Sequence, residues 1–158
     1  MCSSDLSGVG VAFPATQVAS SNANTLDDYE EGTFTPTISG ATSAGAGTYT
    51  VQVGRYTKIG NTVTAHIVIA WTAHTGTGFA LLSGLPFTAA NVANLQPSIA
   101  IGYLDSFALT ANNVATGYIQ QNTTYANLLQ YPTGGGSSTQ VTLDTAAGIQ
   151  YSITYQTA

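Results

Sequence analysis

Residues 61–71 read NTVTAHIVIAW and residues 148–157 read GIQYSITYQT. In the first run Val63, Ala65, Ile67, Ile69 and Trp71 share one face, and Thr62, Thr64, His66, Val68 and Ala70 share the other. In the second, Ile149, Tyr151, Ile153 and Tyr155 point one way, and Gln150, Ser152, Thr154 and Gln156 the other. Only an extended strand with one dry face satisfies a strict period of two, and no segment longer than two turns shows helical periodicity with caps.

Similar runs rich in β-branched and aromatic residues fall near 33–39, 47–59, 79–82, 97–104, 115–121, 125–131 and 139–143, separated by Gly, Asn, Pro and Ser clusters. About nine short strands at such spacing predict an all-β, antiparallel β-sandwich of jelly-roll type. RYTKIGNTVTAHI reads as a hairpin turning at Gly60-Asn61, a dipeptide tolerant of positive φ. The stretches 88–96 and 109–116 are read as helical turns or loops. Residues 1–32 are small and polar and are expected to form an extended arm leading into a domain at 33–158.

Charge is scarce: two basic and seven acidic residues make up only 6% of the 158-residue chain, while 44% is apolar. High net charge with low hydrophobicity, the mark of disorder, is absent, as is any apolar run of about 20 residues that would cross a membrane as a helix. With only Arg55 and Lys58 available, a surface that neutralises several phosphates cannot be assembled, so neither nucleic acid nor anionic lipid is an expected partner. Cys2 is the single cysteine, which excludes a disulfide framework or a cysteine-based metal site. The opening MCSSDLSGVGVAF has no basic segment followed by a long apolar one and does not read as a secretory signal.

Four of the seven carboxylates, Asp27, Asp28, Glu30 and Glu31, stand within five positions. Thr25 as a cap and Gly32 past the end would make this a brief helical turn, solvated and mutually repelling. It lacks the alternating spacing of a calcium loop, so no ion is expected there. His66 lies on the non-core face of its strand, where a symmetric assembly could bring copies together, though a polar interface histidine is the simpler reading. Val68, Ala70, Ala100, Gly102 and Leu104 are small or apolar on faces opposite the expected core. A sheet covered on both sides, in a chain too short for a second layer of helices, predicts an oligomer.

No nucleophile stands in a recognisable catalytic context, neither histidine neighbours a carboxylate in sequence, and the paired acids share one turn instead of facing each other across a substrate. The expectation is a non-enzymatic domain without cofactor or metal. Trp71, Tyr151 and Tyr155 sit on core stripes and read as packing. The candidates for ligand contact are His74 and Phe79 in HTGTGF, Asn112 and Asn113, Tyr125, and Tyr131 beside PTGGGSST, because neutral saccharides are gripped by aromatic faces and amide hydrogen bonds.

The blocks GVAFPATQVASSNANTLDDYEEGTFTPTISG, YTVQVGRYTKIGNTVTAHIVI, GTGFALLSGLPFTA and GIQYSITYQTA, in that order, resemble a C-terminal module of bacteriophage tail fibres, tail spikes and related virion appendages. The resemblance spans nearly the whole chain except 103–147. It implies a homotrimeric β-sandwich on the virion, joined to an upstream fibre domain at the acidic stretch. Its implied role is trimerisation, recognition of a bacterial surface glycan or protein, or both. The alternatives are a purely structural trimerisation or capsid-decoration module, a carbohydrate-binding module of a secreted enzyme, and a depolymerase.

Overall fold

A computed structural model of the chain describes Phe13, Thr16, Ser20, Asn22, Thr25, Leu26 and residues 28–157. Among these residues there is no helix, and ten strands form two antiparallel sheets packed face to face. They are β1 (Tyr29–Phe34), β2 (Thr37–Gly40), β3 (Gly47–Ile59), β4 (Thr62–His74), β5 (Ala80–Ser83), β6 (Ile99–Asp105), β7 (Asn113–Ile119), β8 (Tyr125–Pro132), β9 (Thr139–Gln140) and β10 (Ala147–Gln156). The first sheet runs β1-β3-β4-β10-β6 and the second β2-β5-β8-β7, with β9 on β8.

The two stripes read from the sequence meet at the centre. Strand β10 pairs with β4 from Ala147 opposite Trp71 to Gln156 opposite Thr62 without a break. Because both strands alternate in phase, Val63, Ala65, Ile67, Ile69, Trp71, Ile149, Tyr151, Ile153 and Tyr155 all turn inward, each at most 3% exposed. The second sheet answers with Ile38, Ala80, Leu82, Ile119, Ala126 and Leu128. Burying one such side chain is worth about 1.5–3 kcal/mol, so this single apolar layer carries most of the fold's stability. Trp71 is sealed by the edge of Phe107, 5.6 Å between ring centroids, and donates from Nε1 to the Asp144 carbonyl at 3.0 Å.

Most expected strands are present, and the hairpin turns at Gly60-Asn61 with Gly60 at φ 58°. The differences have local causes. The run 33–39 is two strands, because Pro36 cannot donate to a ladder and instead carries the chain, fully buried, from the first sheet to the second. The helical reading of 109–116 fails, because Asn113–Ile119 pairs with β8 throughout. Residues 88–96 are loop.

Leu104 also departs from expectation. Strand β6 slips by one residue against β10, with Gln150 opposite Tyr103 but Tyr151 opposite Ile101. That bulge at Gly102 turns Leu104 toward the core beside Ile149 and sends Tyr103 outward, 57% exposed. Val68, Ala70 and Ala100 keep the outward orientation their strands predict.

The acidic stretch is not a helical turn. From Tyr29 on it is strand β1, paired with β3 so that Glu30 faces Lys58 and Glu31 faces Thr57. Alternation separates the acids. Asp28 and Glu30 lie on the face of Lys58 and Tyr56, where the buried Asp28 carboxylate forms an ion pair with Lys58 and the exposed Glu30 accepts a hydrogen bond from the Tyr56 hydroxyl. Glu31 points outward and accepts from Tyr29 at 3.1 Å. Asp27 lies outside the described residues. The Phe87 ring, 5.8 Å from Lys58 Nζ and edge-on to Tyr56 at 5.1 Å, closes over the pair.

Removing one member of a buried ion pair strands the other charge, whereas removing both does not. Lys58→Met should therefore lower stability by about 3 kcal/mol or more, and the double change Asp28→Leu/Lys58→Met should recover most of that loss, as read from urea midpoints.

Three inward tyrosines resist ionisation. The hydrogen bond to Glu30, with burial adding to it, raises Tyr56 to about 12. Burial raises Tyr155 to about 12 against the hydrogen bond its hydroxyl accepts from the Phe87 amide, and burial raises Tyr151 further. The folded chain thus retains protons that the unfolded chain releases near pH 10, so these groups leave stability intact below about pH 10 and withdraw it as pH rises toward about 12. Tyrosinate absorbance and circular dichroism should change together in that window, and Tyr56→Phe should move its onset upward.

Candidate functional site

The paths of the strands give the sandwich two unlike ends. Strand β1 starts with Tyr29 opposite Ile59, and β10 finishes with Gln156 opposite Thr62, so the described chain enters and leaves the sandwich beside the Gly60-Asn61 turn. The far end is made by the connections 41–46, 75–79, 106–112, 133–138 and 144–146. It is rich in Thr, Ser, Gly and Ala, and Asp144 is the sole charged side chain within those connections.

Backbone hydrogen bonds knit this end together. Segments 40–46 and 75–79 are cross-linked through Thr42 N to Thr77 O (3.0 Å), Thr77 N to Ser43 O (3.0 Å), Ala41 N to Phe79 O (2.9 Å) and Thr75 N to Ala46 O (3.0 Å). The Asp144 carboxylate accepts from Ala108 N at 2.9 Å, and the buried Gln130 side chain accepts from Thr110 N at 2.7 Å. Thr133 N donates to Asn112 O at 2.8 Å, tying the β6–β7 connection to the glycine-rich loop.

Of the residues singled out from sequence, four assemble here. Phe79 and Tyr131 are each 44% exposed, and Asn112 and Asn113 stand at the start of β7, where Asn113 pairs with Pro132 next to Tyr131. Asn112 takes a left-handed conformation, φ 62°, which an asparagine tolerates. Phe79 precedes the buried Ala80 and is turned outward by alternation, bridging to Thr142.

The other two do not join them. Tyr125 begins β8, six residues and about 20 Å from Tyr131, at the opposite end of the sandwich. His74 closes β4 and is buried. Its Nδ1 accepts the Gly76 amide at 2.9 Å, which puts the proton on Nε2, and Nε2 donates to Ile38 O at 3.0 Å. Both ring nitrogens are thereby used to pin β2 and the 75–79 segment to β4.

Gly78 sets where Phe79 stands. Its φ is 94°, and a Cβ there would lie 2.5 Å from the Thr42 hydroxyl and 2.7 Å from the Thr42 amide. Both the conformation and the space demand glycine. Gly78→Ala should cost about 1–3 kcal/mol and change the emission or ring-proton shifts of the end aromatics, while Gly134→Ala, in open space, should alter neither.

A second constellation was not anticipated. On the outer face of the first sheet Arg55 stands directly opposite His66, and His66 opposite Ser152. A two-residue turn at Gly60-Asn61 already implies the Arg55–His66 pairing by counting back along both arms of the hairpin, so the signal was present in the sequence. Among the described residues no three His, Cys, Asp or Glu side chains converge in a way that would hold a metal ion.

The fold is thus a two-sheet antiparallel β-sandwich with one knitted, nearly uncharged end. No family model matches the chain, and no curated protein matches its sequence. Among solved structures it is similar in fold to the crystal structure of the Dettilon tailspike protein, a phage tailspike, with a TM-score of 0.61 and 15% identity. That likeness covers 80% of this chain and 24% of the tailspike, so the chain spans about a quarter of that protein's length.

Proposed function

We propose that this chain is a non-enzymatic module of a phage tail appendage, a fibre or spike, which trimerises and recognises a receptor on the bacterial surface. The observation that carries this reading is the asymmetry of the sandwich: the chain enters and leaves at one end, and the opposite end presents Phe79, Tyr131 and Asn112 on a rigid, nearly uncharged platform. Exposed aromatics among neutral hydrogen-bonding groups suit a glycan better than a charged polymer. The fold likeness to a tailspike supports the appendage context and the virion location.

The trimer has its own support. Toward the far end, the outer face of the first sheet exposes Val51 at 37%, Val53 at 47% and Tyr103 at 57%, with Val68 and Ala70 between them. In a trimer three weak end sites act together, and avidity can raise binding by about 10²–10⁴ over a single site without new contacts. The same apolar patch favours a second reading, in which the module only registers three chains.

Light scattering and adsorption to host cells separate the two. Phe79→Ala/Tyr131→Ala should keep the trimer and lower adsorption by about tenfold or more, since each lost aromatic contact is worth on the order of 1 kcal/mol at every one of three sites. Intact adsorption in that variant would leave the structural role alone. Release of reducing ends from surface polysaccharide would overturn the non-enzymatic assignment.

A further inference from the structure

With a composition so short of cations, the position of the two that exist is informative. Lys58 is consumed by Asp28 in the interior. Arg55 is exposed on the outer face of the first sheet, with neither an ion pair nor a hydrogen bond to any described residue. His66 stands beside it across the hairpin, side-chain roots about 5 Å apart, and is likewise exposed and without a hydrogen-bond partner among the described residues.

Three shallow grooves meet at His66. One of about 450 Å³ runs over Glu31, Arg55, Thr57 and Thr64. A second of about 340 Å³ runs from Arg55 past Val68 and Ala100 to Gln150 and Ser152. A third of about 430 Å³ lies between Thr64, Ser152 and Thr154. The polar part of this surface, made by Thr57, Thr64, Ser152, Thr154 and the Gln150 amide, surrounds a single free guanidinium, while Val53, Val68 and Ala100 make the remainder apolar.

We infer that this face binds a carboxylate-bearing saccharide, with Arg55 pairing to the carboxylate. A guanidinium matches a carboxylate in a two-point fork, and Thr64, Ser152, Thr154 and Gln150 supply the neutral hydrogen bonds that sugar hydroxyls require. His66 extends the polar floor between Arg55 and Ser152. Glu31 lies on β1, on the far side of Arg55 from Ser152, and is already engaged by Tyr29, so the ligand's charge sits on the His66 side. The site is separate from Phe79 and Tyr131. It rests on the receptor reading only for the source of the ligand.

The test is calorimetric titration of the intact protein with oligogalacturonate and with its methyl ester, which has the same backbone without the charge. Saturable binding to the acid is expected, weakened about tenfold or more by esterification and by Arg55→Gln, and untouched by Phe79→Ala. Absence of saturable binding, or binding indifferent to Arg55→Gln or to esterification, overturns the inference. So does equal binding of polyglutamate, which would mean that the face reads charge alone, or a changed oligomeric state in Arg55→Gln, which would make the face a contact between copies. Cell adsorption measured in parallel distinguishes the two readings. Adsorption that depends on Phe79 and Tyr131 without oligogalacturonate binding sinks only this site, and oligogalacturonate binding without adsorption to any cell sinks only the receptor reading.

Discussion

The unbroken ladder between β4 and β10 is the constraint on which the remaining structure depends. Ten consecutive pairs in strict alternation leave no freedom in which side chains point inward, and a slip of β10 by one residue would expose Ile149, Tyr151, Ile153 and Tyr155 together. With that register set, β3 is placed by its two-residue turn and β6 by the other edge of β10. The same ladder orders the outer face, where Thr33, Arg55, His66, Ser152 and Ala100 fall in one row across five strands. Core and outer surface are two sides of one register.

Scarcity of charge shapes what the molecule can recognise. One of its two cations is spent inside, with Asp28, under the Phe87 ring, where it holds β1 and the 84–98 connection to the body of the first sheet. Such a pair is poor value as stabilisation, since desolvation offsets most of the attraction, but it punishes any register in which either partner is buried alone. The surfaces left for partners are therefore mostly hydroxyl, amide and aromatic, at the far end and along the outer sheet. Groups of this kind bind by direction and shape more than by long-range attraction.

The acidic stretch shows how far local reading reaches. Four carboxylates in five positions look like a solvated turn when only neighbours in sequence are counted. Pairing with β3 puts Glu30 and Glu31 on opposite faces of a strand and, with Asp28 just before it, gives the three different partners: the Lys58 ammonium for Asp28, the Tyr56 hydroxyl for Glu30 and the Tyr29 hydroxyl for Glu31. His74 makes the same point. In sequence it begins a loop rich in Gly and Thr, and in space it is a buried clasp whose two nitrogens bind backbone groups 36 and 2 residues away.

The β-class, the central stripes, the Gly60-Asn61 hairpin and the scarcity of cations all followed from the order of residues, because alternation and turn chemistry act over a few positions. Phe79, Tyr131, Asn112 and Asn113 were also legible, as aromatics and amides beside turn residues. Tertiary structure alone decided that these four share an end while Tyr125 does not, that Leu104 turns inward at a bulge, and that Lys58 is buried while Arg55 stays free. Each of those outcomes depends on which strand lies beside which, and contacts between residues dozens of positions apart leave no periodic trace in the chain.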